Sequence, residues 1–595
     1  MKLRIYSAFV TALVLCAPAL AQLPKSARLF EQNCLMCHGN VKSGETPDAT
    51  ALRRMSPETI VAEIGKGAAH EPLARLSDAD RRAIAEYLAG RNFMTPNQGD
   101  AQRMPNACSA NPAITSLTAS PAWNGWGGDT TNGRFQTAAA AGVPAAQVSR
   151  LKLKWAFGFP GANDMYGQPA VAAGRVFVGV NSGYVYSLDA ATGCAYWSFP
   201  ARAGVRNAIS LGEVKGQGTA RFAAYFGDVR ANVYAVDAAT GRLLWETRAD
   251  EHGLAGITGA PAYYQGRLYV PVASREEPAG VSPNYPCCTF RGSVVALDAN
   301  TGRQIWKTYV IPDVPKPTRK NSVGTQLWGP AGGGVWNTPT IDARSHALYV
   351  GTGNAYVEPA PERTDAILAL DLDSGKVLWV AQDTPSDAWL AGCTPTTENC
   401  PKNIGPDYDF GASPILRNLP SGKRILVAGQ KSGMVWGHDP DRNGAVVWKT
   451  QLPEKLALGE ITFGGAADDE YAYFGVSSLG VAAVSLATGE RKWVAPIKAA
   501  GPRMGIGAAL SAIPGAVFGG GYDGILRAFS STNGELEWQF NMLQEFQTVN
   551  GVAAKGGSMG APGPVIAGGT LFVGSGYFFG ERGTPGNVLL AFSVE

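Results

Sequence analysis

The fold can be predicted from one stretch of sequence, Ala235-Val-Asp-Ala-Ala-Thr-Gly-Arg-Leu-Leu-Trp245, because variants of it recur along most of the chain. Each variant places two short apolar runs around an Asp…Thr-Gly turn, which is the pattern of a β-hairpin ending in a Trp. The other variants lie at 187–197, 296–306, 369–379, 439–448, 485–493 and 530–538. Such repetition predicts an all-β propeller whose tryptophans pack against neighbouring units.

The number of blades follows from the two ends of the repeat. Seven units carry the full hairpin. The run Leu-Lys-Leu-Lys-Trp at 151–155 has a Trp but no preceding turn, and Leu-Leu-Ala-Phe-Ser at 589–593 is a strand without a Trp. We expect these two segments to complete an eighth blade together and so close the ring.

The spacing of the tryptophans is uneven. The three longest intervals lie between Trp245 and Trp448. Inserted loops of a propeller cluster at one mouth of the ring, where ligand sites are built. The residues inserted between these tryptophans are therefore the first candidates for chemistry.

Size and composition restrict the class of protein. The chain has 595 residues, which predicts two or more domains. Hydrophobic residues make up 45% and charged residues 17%, as in folded globular proteins. The net charge of +3 and the absence of a basic run exclude a nucleic-acid partner from our expectations.

The first residues have the pattern of a secretory signal. Lys2 and Arg4 precede an apolar run at 8–15, and Ala19-Leu-Ala21 supplies a cleavage site before Gln22. No later stretch reaches the roughly 18 apolar residues of a transmembrane helix. We therefore expect export to the periplasm, an oxidising space in which disulfides form.

Cys34-Leu-Met-Cys37-His38 follows this segment and predicts one covalently attached haem c. The two thiols add to the haem vinyl groups, and the adjacent imidazole binds the iron. A redox or zinc Cys-x-x-Cys is the alternative. Helical patterns at 24–33, from Ser56 and at 77–88 favour a small all-α class I cytochrome c.

The second axial ligand of the iron stays open between several side chains. Counting back seven residues from Leu76-Ser77, where small cytochromes place a Met, gives Ala69. The neighbouring His70 can bind the iron instead and would lower the reduction potential relative to a Met ligand. Met55 and Met94 are the other candidates, and a solvent-exposed His70 without a role is the alternative.

These patterns divide the chain into four parts, and the other cysteines suggest how the parts are joined. We expect a signal peptide at 1–21, the cytochrome at 22–95, a linker at 96–120 and the propeller at 121–595. Cys393 and Cys400 flank a short Pro/Thr/Asn loop and are expected to form a disulfide bond. Cys108 in the linker can then pair with Cys194 in a blade turn.

The inserted segments contain five unusual motifs. Adjacent cysteines can form a rigid vicinal disulfide, and an indole after a Gly run can stack on an aromatic ligand. Carboxylate and amide oxygens suit Ca²⁺, although each such motif could be an ordinary turn or surface group. The motifs are Cys287-Cys288, Gly332-Gly-Gly-Val-Trp336, Gly351-Thr-Gly-Asn354, Glu276-Glu277 and Asp407-Tyr-Asp-Phe410.

Together these motifs resemble those of the quinohaemoprotein alcohol dehydrogenases, which bind pyrroloquinoline quinone (PQQ) and Ca²⁺ in an eight-bladed propeller. The cytochrome stands in front of the propeller, as in the polyvinyl-alcohol dehydrogenases of that family. The segments Trp123-Asn-Gly-Trp-Gly-Gly-Asp129 and Cys287-Cys-Thr-Phe-Arg-Gly292 also resemble that branch. The resemblance covers nearly the whole mature chain.

The resemblance implies roles for the inserted residues. Asp409 would be the general base that takes the alcohol proton while a hydride moves to the quinone, and Ca²⁺ would polarise a quinone carbonyl. Trp336 and the Cys287–Cys288 pair would lie on opposite faces of the PQQ ring. The implied Ca²⁺ ligands are Asn354, Glu276 or Glu277, and Asp409, and the implied PQQ contacts are Arg206, Thr258 and Lys431. The vicinal pair lies after the metal glutamate, however, not before it as in methanol-type enzymes.

The same resemblance implies the partners. The substrate would be an alcohol, with the secondary hydroxyls of a polymer as one candidate, and a downstream cytochrome c or other redox protein would accept the electrons. The alternative is a non-catalytic propeller scaffold, which uses the same tryptophan repeat. A scaffold needs no metal carboxylates, vicinal cysteines or haem, and this sequence has the motifs for all three.

Overall fold

The computed structural model describes residues 25–38, 49–64, 66, 70, 73, 75–95, 97–497, 505–578 and 583–594. The predicted signal peptide lies outside these residues. Within them, no helix is long and apolar enough to cross a membrane.

The first described segment is a small helical domain that contains the Cys-x-x-Cys-His motif. Its helices are α1 (Lys25–Asn33), α2 (Leu35–His38), α3 (Ala49–Leu52), α4 (Pro57–Ile64) and α5 (Asp78–Ala89). Ser56 caps α4 by accepting from Thr59 N at 3.1 Å, and Gly90 ends α5 in the left-handed conformation. Phe30, Ile60 and Ile84 meet in the core, so the predicted helices form one compact domain.

A propeller follows, and its described residues form eight blades of antiparallel strands. From inside to outside, the strands are as follows: blade 1, Ala170–Ala172, Arg175–Gly179, Tyr184–Asp189, Ala195–Pro200; blade 2, Ser210–Glu213, Phe222–Gly227, Asn232–Asp237, Leu243–Arg248; blade 3, Ala262–Tyr264 with Ala255–Gly256, Arg267–Ser274, Ser293–Asp298, Gln304–Tyr309; blade 4, Thr340–Asp342, Ala347–Gly351, Ala366–Asp371, Val377–Gln382; blade 5, Ile415–Asn418, Arg424–Gly429, Met434–Asp439, Ala445–Gln451; blade 6, Ala466–Ala467, Tyr471–Val476, Gly480–Ser485, Arg491–Pro496; blade 7, Ser511–Ile513, Ala516–Gly520, Ile525–Ser530, Leu536–Asn541; blade 8, Val565–Ala567, Thr570–Ser575, Val588–Val594, Leu151–Gly158.

Short elements complete the described chain. Two small hairpins pair Lys316–Lys320 with Gln326–Gly329 and Glu545–Phe546 with Ala554–Lys555. The remaining helical turns are Ala101–Arg103, Ala138–Ala141, Ala145–Arg150, Glu276–Ala279 and Pro440–Arg442.

The two ends of the repeat close the ring, as the sequence predicts. Leu151–Gly158 pairs with Val588–Val594, in a register that joins Leu151 to Val594 and Gly158 to Val588. The Trp538 indole of blade 7 also donates to Leu151 O at 3.1 Å. The outermost strand of blade 8 therefore comes from the start of the propeller and the next one inward from its end.

The tryptophans join successive blades. The Trp245 indole donates to Ala299 O in the next blade at 3.0 Å, and Trp197 donates to Ala238 O at the same distance. The turn glycine of that next blade, such as Gly302, lies against the indole ring. The recurring Trp and Thr-Gly are thus two halves of one inter-blade contact.

Substitution of this glycine should destabilise the propeller more than substitution of a glycine in an open turn. Gly302 has φ +71° and a Cβ there would lie 2.6 Å from Trp245 Cε3, whereas Gly266 has φ +77° and no atom near that position. We expect Gly266→Ala to cost about 1–2 kcal/mol from the backbone alone. Gly302→Ala should cost about 1–3 kcal/mol more, because the ring must move. Denaturant unfolding of both variants measures the difference, and equal losses would contradict the contact.

Strand direction places the long insertions together. The four strands of a blade alternate in direction, so the second-to-third and blade-to-blade connections emerge at the same mouth. The long connections 275–292, 310–339, 352–365 and 383–414 are all of these two kinds. We call this end of the ring the insertion mouth.

The cytochrome domain covers part of the insertion mouth. Gly204 N donates to Gly90 O at 2.9 Å, and Asn92 Nδ2 donates to Gly161 O at 2.8 Å. Arg230 Nη2 donates to Tyr87 O at 2.6 Å. Gly161, Gly204 and Arg230 lie in insertion-mouth connections, so the haem-binding domain lies on the same end of the ring as the long insertions.

Three disulfides join the expected cysteines. Cys108 pairs with Cys194, which fastens the linker to blade 1, and Cys393 pairs with Cys400. Cys287 and Cys288 form the vicinal bridge. Cys34 and Cys37, the two cysteines of the predicted haem motif, form no disulfide with the described residues.

Candidate active site at the insertion mouth

Asp409 is the centre of a hydrogen-bonded cluster at this mouth. Its Oδ1 accepts from Asn354 N at 2.8 Å. Its Oδ2 accepts from Lys431 Nζ at 2.8 Å and from Trp336 Nε1 at 3.2 Å. Four residues singled out in the sequence, from connections of blades 3 to 5, therefore meet at one carboxylate.

More acidic side chains surround this cluster. Lys431 Nζ also lies 2.8 Å from Asp407 Oδ1. Asp387 accepts from Tyr408 N at 2.8 Å. Burial opposes the charge of Lys431, but Asp407, Asp409 and Glu277 together hold the pKa of its ammonium well above the ordinary value. Burial, aided by the charges of Asp409 and Glu277, raises the pKa of Asp407. Carboxylates thus outnumber the single lysine, and this excess of negative charge favours a bound cation.

The structure separates the two adjacent glutamates. Glu276 is fully buried and accepts from Thr289 N at 2.9 Å, Phe290 N at 2.7 Å and Tyr285 Oη at 3.0 Å. Glu277 lies close enough to Lys431, Asp409 and Asp387 to feel their charges: burial raises its pKa to about 7, Lys431 opposes this shift, and the two aspartates add to it. Glu276 therefore holds the loop together, whereas Glu277 is available at the site.

Asn354 presents an oxygen to the site. Its Nδ2 donates to Ala355 O at 2.7 Å and to Trp389 O at 2.8 Å, which leaves Oδ1 as the atom available to a ligand. Glu277, Asn354 and Asp409 together offer carboxylate and amide oxygens, the donors that Ca²⁺ prefers. Among the described residues, no group of three or more His, Cys, Asp or Glu side chains is arranged to hold a metal by itself.

Trp336 offers an aromatic surface. Gly411 lies against its indole, since a Cβ at Gly411 would be 1.8 Å from Trp336 Cη2, and the ring remains partly exposed. Thr258 Oγ1 approaches Trp336 O at 3.5 Å. The Arg206 guanidinium lies 5.1 Å from the Tyr166 ring centre and 6.0 Å from that of Phe463. The Lys431 ammonium lies 5.2 Å from the Trp336 ring centre, and a partly exposed indole beside a cation suits a planar anionic cofactor such as PQQ.

The vicinal disulfide lies in an apolar environment. Cys287 and Cys288 are 1% and 0% exposed, in a core cluster with Phe290, Tyr356 and Leu390. The core cluster that contains this disulfide does not include Trp336. The position of the Cys287–Cys288 disulfide above the cofactor ring stays a prediction.

In the cytochrome domain, His38 and His70 face each other. Their rings are nearly parallel, with centres 6.3 Å apart. His70 Nδ1 bonds to Lys66 O at 3.0 Å, which orients the ring and leaves Nε2 as the nitrogen for a metal. Met94 packs on the propeller backbone at Gly161, and Met55 packs against the cytochrome core.

Several site residues escaped sequence reasoning. Asp387 and Asp365 are buried beside the acidic cluster, but each lies in a loop without a recognisable motif. Tyr166 and Tyr577 pack edge to face at 5.2 Å across the blade 8–blade 1 boundary. The sequence offers only the pairs Tyr166-Gly167 and Tyr577-Phe578 as a sign of this contact. Such pairs are common in strands and therefore do not indicate a site.

Comparison with known proteins agrees with this geometry. The family model described as "Glucose/ethanol/alcohol dehydrogenase, beta-propeller domain", of PQQ proteins, matches residues 123–452. A second, "Cytochrome C oxidase, cbb3-type, subunit III", matches residues 21–88. The solved quinohaemoprotein alcohol dehydrogenase of Comamonas testosteroni superposes with a TM-score of 0.60 at 20% identity, covering 83% of each chain, and shows the fold.

Full-length relatives are closer in sequence. A polyvinylalcohol dehydrogenase of Pseudomonas sp. is 39% identical over 98% of this chain and 96% of its own. One from Sphingopyxis sp. strain 113P3 is 37% identical over 95% and 92%. The class is therefore that of PQQ-dependent alcohol dehydrogenases with a haem c domain. Within it, the chain belongs to the polyvinylalcohol dehydrogenase family.

Proposed function

We propose that this enzyme oxidises secondary hydroxyl groups of a polymeric alcohol at the Asp409 cluster and passes the electrons through its own haem c to an external redox protein. The observation that carries the proposal is the position of the cytochrome domain, which covers the same mouth that holds Asp409. A fused acceptor over the reaction site shortens the path that electrons must cross.

The residues have distinct proposed roles around the cofactor. Glu277, Asn354 and Asp409 supply oxygens for Ca²⁺, and Trp336 supports one face of PQQ. Arg206, Thr258 and Lys431 hold its polar edge. When bound, PQQ supplies the two-electron acceptor and Ca²⁺ a Lewis acid.

Asp409 is the proposed general base. Its Oδ2 faces the Lys431 ammonium and the Trp336 N–H, which hold the carboxylate in a fixed orientation. A carboxylate held this way can take the proton of a substrate hydroxyl as the carbon–hydrogen bond breaks. The ion pair with Lys431, at 2.8 Å, therefore contributes to positioning this carboxylate.

The names of the full-length relatives support a polymeric substrate. The test compares polyvinyl alcohol with 2,4-pentanediol, which has the same hydroxyl spacing, and with ethanol, at equal hydroxyl concentration. We expect the highest kcat/KM on the polymer and the lowest on ethanol. A preference for ethanol would contradict the polymer assignment and leave the alcohol dehydrogenase activity intact.

The adjacent glutamates give a matched pair for the metal site. Glu277→Gln should weaken Ca²⁺ binding about tenfold or more, seen as a higher Ca²⁺ concentration for half-maximal activity, with little loss of stability. Glu276→Gln should instead destabilise the loop by about 1–3 kcal/mol, because its backbone hydrogen bonds weaken. A change in Ca²⁺ dependence for Glu276→Gln alone would reverse the assignment.

His70 is the proposed second axial ligand of the haem iron, supported by its position opposite His38. His70→Met should raise the haem reduction potential, since Met/His ligation favours the reduced state. Met55→Leu should leave the potential and the spectrum unchanged. A redox titration of both variants decides between the two side chains, and a shift with Met55→Leu alone would exclude His70.

We also propose that the enzyme acts in the periplasm. Three disulfides, one of which fastens the linker to the propeller, form and persist in oxidising compartments. The predicted signal peptide supports the same location.

A further inference from the structure

A cleft of about 480 Å³ separates the cytochrome domain from the propeller. Its walls carry an excess of positive charge, because six arginines and two glutamates line it. The arginines are Arg53, Arg54 and Arg91 of the cytochrome domain and Arg202, Arg230 and Arg248 of the propeller. Both domains therefore bring cations to the same cleft.

Most of these arginines have a carboxylate partner. The pairs are Arg91–Glu58 at 2.7 Å, Arg202–Glu246, Arg54–Glu251 at 3.4 Å and Arg248–Glu251 at 3.6 Å. Arg53 and Arg230 differ, since no carboxylate of the described chain lies within 4 Å of either guanidinium. These two residues lie on opposite sides of the domain junction.

Arg230 is a buried cation with an unused donor. It is 6% exposed, and its Nη2 donates to Tyr87 O and Leu88 O at the end of α5. Within the part of the chain that the structure describes, neither Arg230 Nε nor Arg53 Nε has a hydrogen-bond partner. Burial first, and then the charges of Arg53 and Arg275, hold the pKa of Arg230 well below its ordinary value. An unpaired buried cation such as Arg230 is costly unless an anion binds it, whereas Arg53 is partly exposed.

We propose that Arg53 and Arg230 form a carboxylate-binding site across the domain junction and that its occupant is a propionate of the enzyme's own haem c. Arg53 follows α3, and Leu52 and Met55 beside it in the chain pack against the same core as Cys34, the residue of the haem-attachment motif. Haem c is attached to the chain and brings two carboxylates to this region. Guanidinium groups bind carboxylates in a charge-assisted, often bidentate way.

The consequence is a direct connection between the haem and the propeller. Arg230 lies in a blade 2 connection, so a propionate bound there fixes the haem edge toward the insertion mouth. Positive charge beside the haem also stabilises the reduced state, which carries one more electron. The pair thus positions the haem and raises its reduction potential.

The test measures the haem midpoint potential of the holoenzyme by redox titration. Arg53→Gln and Arg230→Gln should each lower the midpoint potential by about 59 mV, which corresponds to a tenfold change in the equilibrium constant of a one-electron reduction. Arg230→Lys should restore most of the loss, because the charge remains. Arg202→Gln is the matched control in the same cleft and should change the potential little, since Arg202 is paired with Glu246.

Three outcomes would overturn the proposal. The first is an unchanged potential in both Arg53→Gln and Arg230→Gln. The second is a wild-type midpoint potential that changes when inorganic phosphate replaces chloride at constant ionic strength. That result would make the occupant an anion from solution. The third is a shift in Arg230→Gln alone, together with faster proteolysis between the domains, which would reduce Arg230 to a docking contact for α5.

Discussion

Replacing Asp409 with Asn should lower kcat for alcohol oxidation by a factor of about 10²–10⁴, the usual contribution of a general base. The amide cannot take the hydroxyl proton, and its NH₂ group faces donors in either orientation, which are Lys431 and Trp336 on one side and the Asn354 N–H on the other. The loss should appear in kcat, because the change removes a group that acts in the chemical step. Steady-state kinetics of the enzyme reconstituted with PQQ and Ca²⁺ measures it.

The haem provides an internal control for this variant. The haem spectrum and midpoint potential should not change, because the hydrogen-bond partners of Asp409 are all propeller residues. Asp313→Asn, on an exposed loop, is the matched substitution and should keep wild-type kinetics. Wild-type kcat in Asp409→Asn, with PQQ bound, would exclude this carboxylate as the base.

Removal of residues 588–595 should prevent the propeller from folding. The deleted strand lies between Thr570–Ser575 and Leu151–Gly158, and the latter has no other strand partner in the described chain. Leu589, Leu590 and Phe592 are fully buried, and each contributes about 1.5–3 kcal/mol on burial. That sum is comparable to the whole stability of a typical domain, about 5–15 kcal/mol.

Circular dichroism and thermal unfolding of the truncated protein test this expectation. Ser593→Ala, a partly exposed position on the same strand, should behave like wild type, whereas Leu590→Asp should reproduce much of the damage. A truncated protein that melts within a few degrees of wild type would show that the ring does not depend on this closure.

The repeat explains why so much of the fold could be predicted. Each Thr-Gly turn and Trp encodes a local hairpin and a contact with the next blade, so both strands and blade order follow from short-range pattern. The closing strand could be predicted because the segments 151–155 and 589–593 are each incomplete versions of the repeat. The three disulfides followed because few cysteines were available to pair.

The active site could be predicted from the sequence less completely than the fold, because long connections between strands build it. Glu276 and Glu277 are neighbours in sequence, yet only the folded loop assigns one to Thr289 and Phe290 and the other to the acidic cluster. Asp387 joins that cluster through the backbone of Tyr408, a contact that no periodicity encodes. The burial of Cys287 and Cys288 likewise depends on packing against distant segments.

Anaerobic mixing tests whether the fused haem receives the electrons that PQQ takes from the alcohol. The holoenzyme with PQQ, Ca²⁺ and oxidised haem receives a secondary alcohol without any external acceptor, and the haem α band is followed. We expect full haem reduction in the wild type and no haem reduction on the same timescale in Asp409→Asn. A haem that stays oxidised while an added dye is reduced by the same alcohol would contradict this expectation.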